Sequence, residues 1–189
     1  MISRRSFLRA VATSVAGLVA TQHPDLEALA GENLAEMITR HEGKRNLAYP
    51  DSRNIKTIGI GFNLERADAR QKIQDLGLSY DAVLTRKQSL TDEQINKLFS
   101  EDLDTATKDA KKYLGKTFEI LPVDAQNIIT DMSFNLGYSK LSEFRQLKYA
   151  LDKQDYISAS EAMKNSRWYS QVGNRSRELV GKMRKLGEK

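Results

Sequence analysis

Two carboxyl groups and a hydroxyl stand close together in the sequence: Glu42, Asp51 nine residues on, and Thr57 six further. The two acids differ in setting. Glu42 follows Leu34, Met37 and Ile38, whose spacing marks one face of a helix, and Gly43 suits that helix's C-terminal cap. The negative end of a helix dipole disfavours a carboxylate, so the position suits an acid that must hold a proton. Asp51 falls in Pro50-Asp51-Ser52-Arg53-Asn54, a run with turn chemistry that leaves its carboxylate partly solvated. Thr57 begins a β-branched stretch punctuated by Gly59 and Gly61, and its hydroxyl can orient a water. One acid that donates a proton and one that stays charged are what hydrolysis of a glycosidic bond requires. Residue types alone also allow blander readings. Single acids are mostly solvated surface groups, Thr is ordinary in a strand, and glycines in a strand can mark a bulge.

Four ordered segments narrow the choice. The first is Thr57-Ile58-Gly59-Ile60-Gly61 with Glu42-Gly43 and Asp51 before it. The others are Thr91-Asp92-Glu93-Gln94-Ile95-Asn96-Lys97-Leu98-Phe99, Met132-Ser133-Phe134-Asn135-Leu136-Gly137, and Ser166-Arg167-Trp168-Tyr169-Ser170-Gln171 followed by Asn174-Arg175. In this order and spacing they resemble the phage-type lysozymes of the T-even endolysin kind, glycoside hydrolase family 24, from about Leu34 to Met183. The resemblance implies a muramidase that hydrolyses the bond between N-acetylmuramic acid and N-acetylglucosamine in peptidoglycan. Glu42 would be the general acid, Asp51 the catalytic carboxylate and Thr57 the holder of the water. It implies inversion at the anomeric carbon, hence carboxyls roughly 6.5–9.5 Å apart. Arg175 falls where the family ion-pairs its catalytic Glu. Phe62, Phe134, Asn135 and Arg175 fall at substrate-binding positions, Asn135 where the family has a longer Gln. Phe62 departs from a His that the family pairs to an Asp on the long helix. Asp102, at that helix site, therefore needs another partner or faces solvent.

The elements that must hold these groups can be followed along the chain. After the helix ending near Glu42 and a short antiparallel sheet, a helical segment runs from Ala67 to Leu76, ended by Gly77, and Ser79 to Gln88 holds a short helix. Thr91 to Gln94 is a capping box. Ile95, Leu98, Phe99, Leu103, Ala106, Ala110 and Tyr113 then keep a helical period to about Leu114, without the strict heptad of a coiled coil. Residues 115–121 are a connector. Pro122 starts the next helix, with Ile128, Ile129 and Met132 inward and Gly137 at its end. Helices are expected over Leu141 to Leu151, over Tyr156 to Met163, and from about Asn174, the last packing through Leu179, Val180, Met183 and Leu186. Trp168, the single tryptophan, is expected in the core rather than stacked on a sugar. The fold class expected is α+β, predominantly α: a lysozyme-like two-lobe fold. A small lobe (31–90) carries the sheet and catalytic residues, a connecting helix spans 91–114, and an all-helical lobe spans 115–189.

Residues 1–30 read differently. Ser3-Arg4-Arg5-Ser6-Phe7-Leu8-Arg9 is a twin-arginine start, the apolar run Ala10 to Ala20 is too short to span a bilayer, and Ala28-Leu29-Ala30 offers small residues for cleavage. This predicts export by a twin-arginine-type signal to the periplasm or cell exterior, with a releasable membrane anchor as the alternative. No cysteine is present, so stability must come from packing without disulfides. The chain carries 30 basic and 25 acidic residues; without the first thirty, 27 oppose 23, a net +4 that suits a polyanionic wall. Basic and acidic residues are interleaved, which argues against a nucleic-acid partner. With two histidines in all, no metal site or cofactor is expected, and His41 reads as a cleft-edge or surface residue. The partners expected are peptidoglycan glycan strands, with a monomeric protein and no stable membrane insertion after processing. Two rivals stand against hydrolysis. A non-catalytic or virion-structural wall-binding protein of the same fold would have lost one of Glu42, Asp51 or Thr57. A lytic transglycosylase needs neither Asp51 nor an activated water.

Overall fold

The sheet is small and the helices set its place. In the computed structural model, residues 32–51 and 54–188 are described, so the leader expected over 1–30 lies outside the described residues. Helix α1 (Leu34–Glu42) is opened by a capping box in which Asn33 and Glu36 satisfy each other's backbone N–H at 3.0 Å. It stops at Gly43, whose φ of 72° is open to glycine at little cost. Strands β1 (Arg45–Pro50), β2 (Lys56–Gly59) and β3 (Phe62–Asn63) follow as an antiparallel meander. Tyr49 faces Thr57 across β1 and β2, and Thr57 faces Asn63 across β2 and β3.

Two short helices cover the sheet, α2 (Ala69–Asp75) and α3 (Tyr80–Leu84), the latter capped by Ser79. The long helix α4 (Asp92–Leu114) begins at the anticipated capping box, with Thr91 N–H donating to Gln94 at 2.9 Å and Gln94 N–H to Thr91 at 3.3 Å. Helices α5 (Thr117–Ile120), α6 (Val123–Leu141), α7 (Arg145–Asp152), α8 (Tyr156–Lys164), α9 (Arg167–Val172) and α10 (Asn174–Leu186) complete the chain. The architecture is α+β and predominantly α, as the sequence predicts. Gly137 breaks α6 with φ 72° and ψ 163°, so the regular helix ends where a glycine was expected to end it. Helix α9 had no signal in the apolar spacing; Ser166 caps it by accepting from Tyr169 N–H.

The apolar residues separate into two clusters. One gathers Ile58, Ile60, Phe62, Leu64, Ile73 and Leu90 from the sheet and its cover. The other gathers Ile128, Met132, Leu147, Met163, Trp168 and Leu179 from the helices that follow. Helix α4 belongs to both, giving Ile95 and Leu98 to the first and Ala110, Tyr113 and Leu114 to the second. Helix α1 precedes the sheet in sequence, yet its Met37 lies in the second cluster. That placement carries Glu42, at the end of α1, to the helices while β1 departs toward the sheet.

Candidate active site

Glu42 is the last residue of α1, and its side chain is 22% exposed. Arg175, on α10, donates from Nη1 to Glu42 Oε1 at 2.5 Å. The carboxyl also lies against the β2–β3 turn. A Cβ built on Gly61 would stand 2.9 Å from Glu42 Oε2, so any larger residue there would push the carboxyl aside. The acid is held between an arginine and a bare stretch of backbone.

Asp51 and Thr57 are tied to one peptide unit. Ile55 N–H donates to Asp51 Oδ1 at 2.8 Å, and Thr57 Oγ1 donates to the Ile55 carbonyl at 3.2 Å. The same carbonyl accepts from Asp51 N–H at 2.9 Å, which closes the turn that Pro50 and Asp51 predict. Thr57 is buried at 5% exposure while Asp51 is half-buried. With its hydrogen committed to Ile55, the Thr57 oxygen keeps lone pairs that can accept from a water.

Tyr49 relates the two acids to each other. Directly opposed residues of an antiparallel pair project on one face, so Tyr49 and Thr57 share a face of the sheet. Burial pushes the Tyr49 phenol up from its ordinary value, the negative charges of Glu42 and Asp51 push it further, and Arg45 opposes them. Arg45 lies over the Tyr49 ring at 4.6 Å. Both carboxyls therefore act on one phenol, which is kept protonated. Neither the spacing nor the resemblance singled out Tyr49; a tyrosine two residues before the Asp, on an alternating strand, was the available signal.

The remaining expected positions divide. Arg175 meets Glu42, as the resemblance implies. Asn135 is exposed near the end of α6, and its Oδ1 accepts from Trp168 Nε1 at 3.1 Å. Trp168 is 3% exposed and packs edge-on against Phe144 in the helical core. Phe134 is half-buried and makes an edge contact with Phe99 of α4 at 5.8 Å between centroids. Phe62 is 2% exposed, inside the sheet-side core, and the Arg66 guanidinium lies 4.3 Å over its ring. The same Arg66 reaches Asp102 at 2.8 Å, so Asp102 has found another partner. Burial still holds the Asp102 carboxyl above its ordinary range, against the pull of Arg66.

His41 corrects the expectation of a surface or cleft-edge residue. Its side chain is 5% exposed, with Nδ1 2.9 Å from Asp131 Oδ2 and Nε2 3.3 Å from Glu178 Oε2. Asp131 is fully buried and accepts from Arg175 Nε at 2.7 Å. Sequence reasoning missed Asp131, although it falls three residues after Ile128 on a face otherwise apolar, where a charge needs a partner. Burial alone would lower the pKa of Arg175; Asp131 and then Glu42 outweigh it and hold the guanidinium charged. Glu178 is held well below the usual carboxylate range, first by a hydrogen bond from Arg40 and then, against burial, by Lys182 and His41. Among the described residues, no group of three His, Cys, Asp or Glu could hold a metal ion. An open hollow of about 580 Å³ lies between α1 and α4, lined by Thr39, Arg40, Ile60 and Phe99 among others, and it touches none of Glu42, Asp51 and Thr57.

The family model described as phage lysozyme matches residues 39–185 of the chain. A "Probable T4-type lysozyme 1" from Dictyostelium discoideum is 24% identical over 155 residues, covering 78% of this chain and 91% of the relative. A "Probable T4-type lysozyme 2" from the same organism is 22% identical over a stretch of the same length and coverage. The "Pre-baseplate central spike protein Gp5" of Enterobacteria phage T4 is 27% identical over 159 residues, covering 78% of this chain; the match spans only 27% of that longer protein.

Proposed function

Because the chain belongs to the phage lysozyme family, we propose that it is a lysozyme cutting the muramic acid–glucosamine bond of peptidoglycan with Glu42 as general acid. The observation that carries this reading is the seat of Glu42, which Arg175 grips at 2.5 Å and the Gly61 backbone bounds, together with the tie of Asp51 and Thr57 to the one residue Ile55. Glu42 gives its proton to the leaving oxygen. Asp51 stays ionised and, with Thr57, orients the water that attacks the anomeric carbon, as an inverting glycosidase requires. Substrate must relieve Glu42 of part of the Arg175 interaction, since a nearby cation favours the charged form of a carboxyl. The chain is exported by its twin-arginine start and acts as a monomer on the wall.

A second reading rests on the relative named as a spike protein: the chain binds walls as part of a larger structure without cutting them. One substitution separates the two. Glu42→Gln keeps the size of the side chain and removes its proton. It should abolish clearing of a wall suspension while leaving the melting temperature within a few degrees. A Glu42→Gln variant that clears walls at the wild-type rate would refute the acid assignment, and a wild-type protein that binds walls without clearing them would favour the structural reading.

A further inference from the structure

Asp131 is a fully buried charge that the chemistry above does not use. Its two oxygens face different partners: Oδ1 accepts from Arg175 Nε at 2.7 Å, and Oδ2 stands 2.9 Å from His41 Nδ1. Arg175 is thus divided between two carboxyls, with Nε on Asp131 and Nη1 on Glu42. The planar fork of a guanidinium holds the two partners at fixed angles, where a lysine would offer a freely rotating point charge. Beyond His41 the line continues to Glu178, and from there to Arg40 at 2.7 Å and Lys182 at 2.9 Å. On its other side Glu42 meets the Gly61 backbone, and the charges of Glu42, Arg45 and Asp51 all act on the Tyr49 phenol of β1.

We propose that Asp131 is a positioning residue for the general acid: by claiming half of the Arg175 guanidinium it fixes that side chain and withholds part of its positive charge from Glu42, while His41 in turn anchors Asp131. The inference rests on the reading of Glu42 as the acid. A guanidinium wholly devoted to Glu42 would hold that carboxyl ionised and idle. One paired to Asp131 as well tolerates a protonated Glu42, because its charge is already balanced in the buried site. The two ends of the line predict opposite effects. Asp131→Asn turns the whole cation toward Glu42. His41→Leu leaves Asp131 to Arg175 alone and draws the cation away.

The test is the titration of the Glu42 carboxyl carbon, followed by NMR in ¹³C-glutamate-labelled full-length protein and assigned by its loss in Glu42→Gln. The pH dependence of wall clearing is measured beside it. In Asp131→Asn the Glu42 midpoint should move to lower pH, and the alkaline limb of clearing should move with it. Clearing at neutral pH should then fall by about three- to tenfold, the size of change expected when a carboxyl loses a balancing charge. In His41→Leu the midpoint should move to higher pH. A folded Asp131→Asn protein whose Glu42 midpoint is unchanged or raised overturns the proposal. If that variant does not fold, an unchanged or lowered midpoint in His41→Leu overturns it equally. A purely structural role would lower both melting temperatures without moving the midpoint in opposite directions. The titration does not depend on wall cleavage: a wild type that clears no wall sinks the lysozyme reading and leaves the charge division to be judged by NMR.

Discussion

Gly61 offers a way to move the proposed acid without touching it. The residue has φ +74°, and a Cβ added there would stand 2.9 Å from Glu42 Oε2, 3.0 Å from Cδ and 3.2 Å from Cγ. Ordinary contact begins at 3.4 Å, so in Gly61→Ala the carboxyl must retreat by about 0.5 Å. The retreating atoms are the end of a flexible side chain, so the fold bears little of that cost. Backbone strain from a positive φ adds about 1–2 kcal/mol, a fall of roughly 2–8 °C in melting temperature for a chain of this length. The catalytic cost is larger. Misplacing a reacting group by this order of distance removes about 10- to 100-fold in rate, or roughly 1.4–2.7 kcal/mol of barrier. Gly77→Ala supplies the control: it has φ +75° and nothing within 4 Å of its Cβ. It should lose similar stability and keep full activity. Initial rates of wall clearing and thermal melts on both variants decide the matter. Equal activity in the two variants at matched loss of stability would show that Glu42 does not need the seat Gly61 provides.

Two further expectations concern charge and pH. Glu178, with its folded value depressed below the ordinary 4.5, contributes stability that is present above that value and lost as pH falls through the depressed one. Glu178→Gln should therefore melt lower than wild type at pH 7, with the gap closing as the solution is acidified; a gap independent of pH would contradict the ion-pair account. Asp102 has the opposite sign. Its folded value is raised above the ordinary 3.8, so the native state binds the proton more tightly and loses stability as pH rises through that window. Asp102→Asn should match wild type below pH 3.8 and melt no lower at pH 7, and a clear loss at pH 7 would show that the Arg66 pair outweighs burial.

What could be read from the sequence was local. Thr91 and Gln94 announce the start of α4 because a capping box is complete within four residues. Gly137 announces a stop because its φ of 72° is a conformation other residues adopt at a cost. Glu42 could be placed at a helix end because the apolar spacing and Gly43 agree. The partners of these residues were not local. His41 is buried by Asp131 and Glu178, which lie 90 and 137 positions away, and nothing in the residues around His41 distinguishes it from a surface histidine. Asp102 found Arg66, 36 positions earlier, because α4 runs beside the segment that follows β3, a fact of packing rather than of period. Helix α9 is six residues long and too short for an apolar period to show.

A proton from Glu42 and a water held by Asp51 and Thr57 carry the proposed reaction, and its fresh product reports on both. Proton NMR of peptidoglycan fragments, recorded before the anomers equilibrate, should show a free reducing end that first appears in the α configuration. A β product would put a covalent or retaining pathway in place of the water. A 1,6-anhydro end would mean that no water attacks at all, and either result would contradict the division of labour assigned to the two acids.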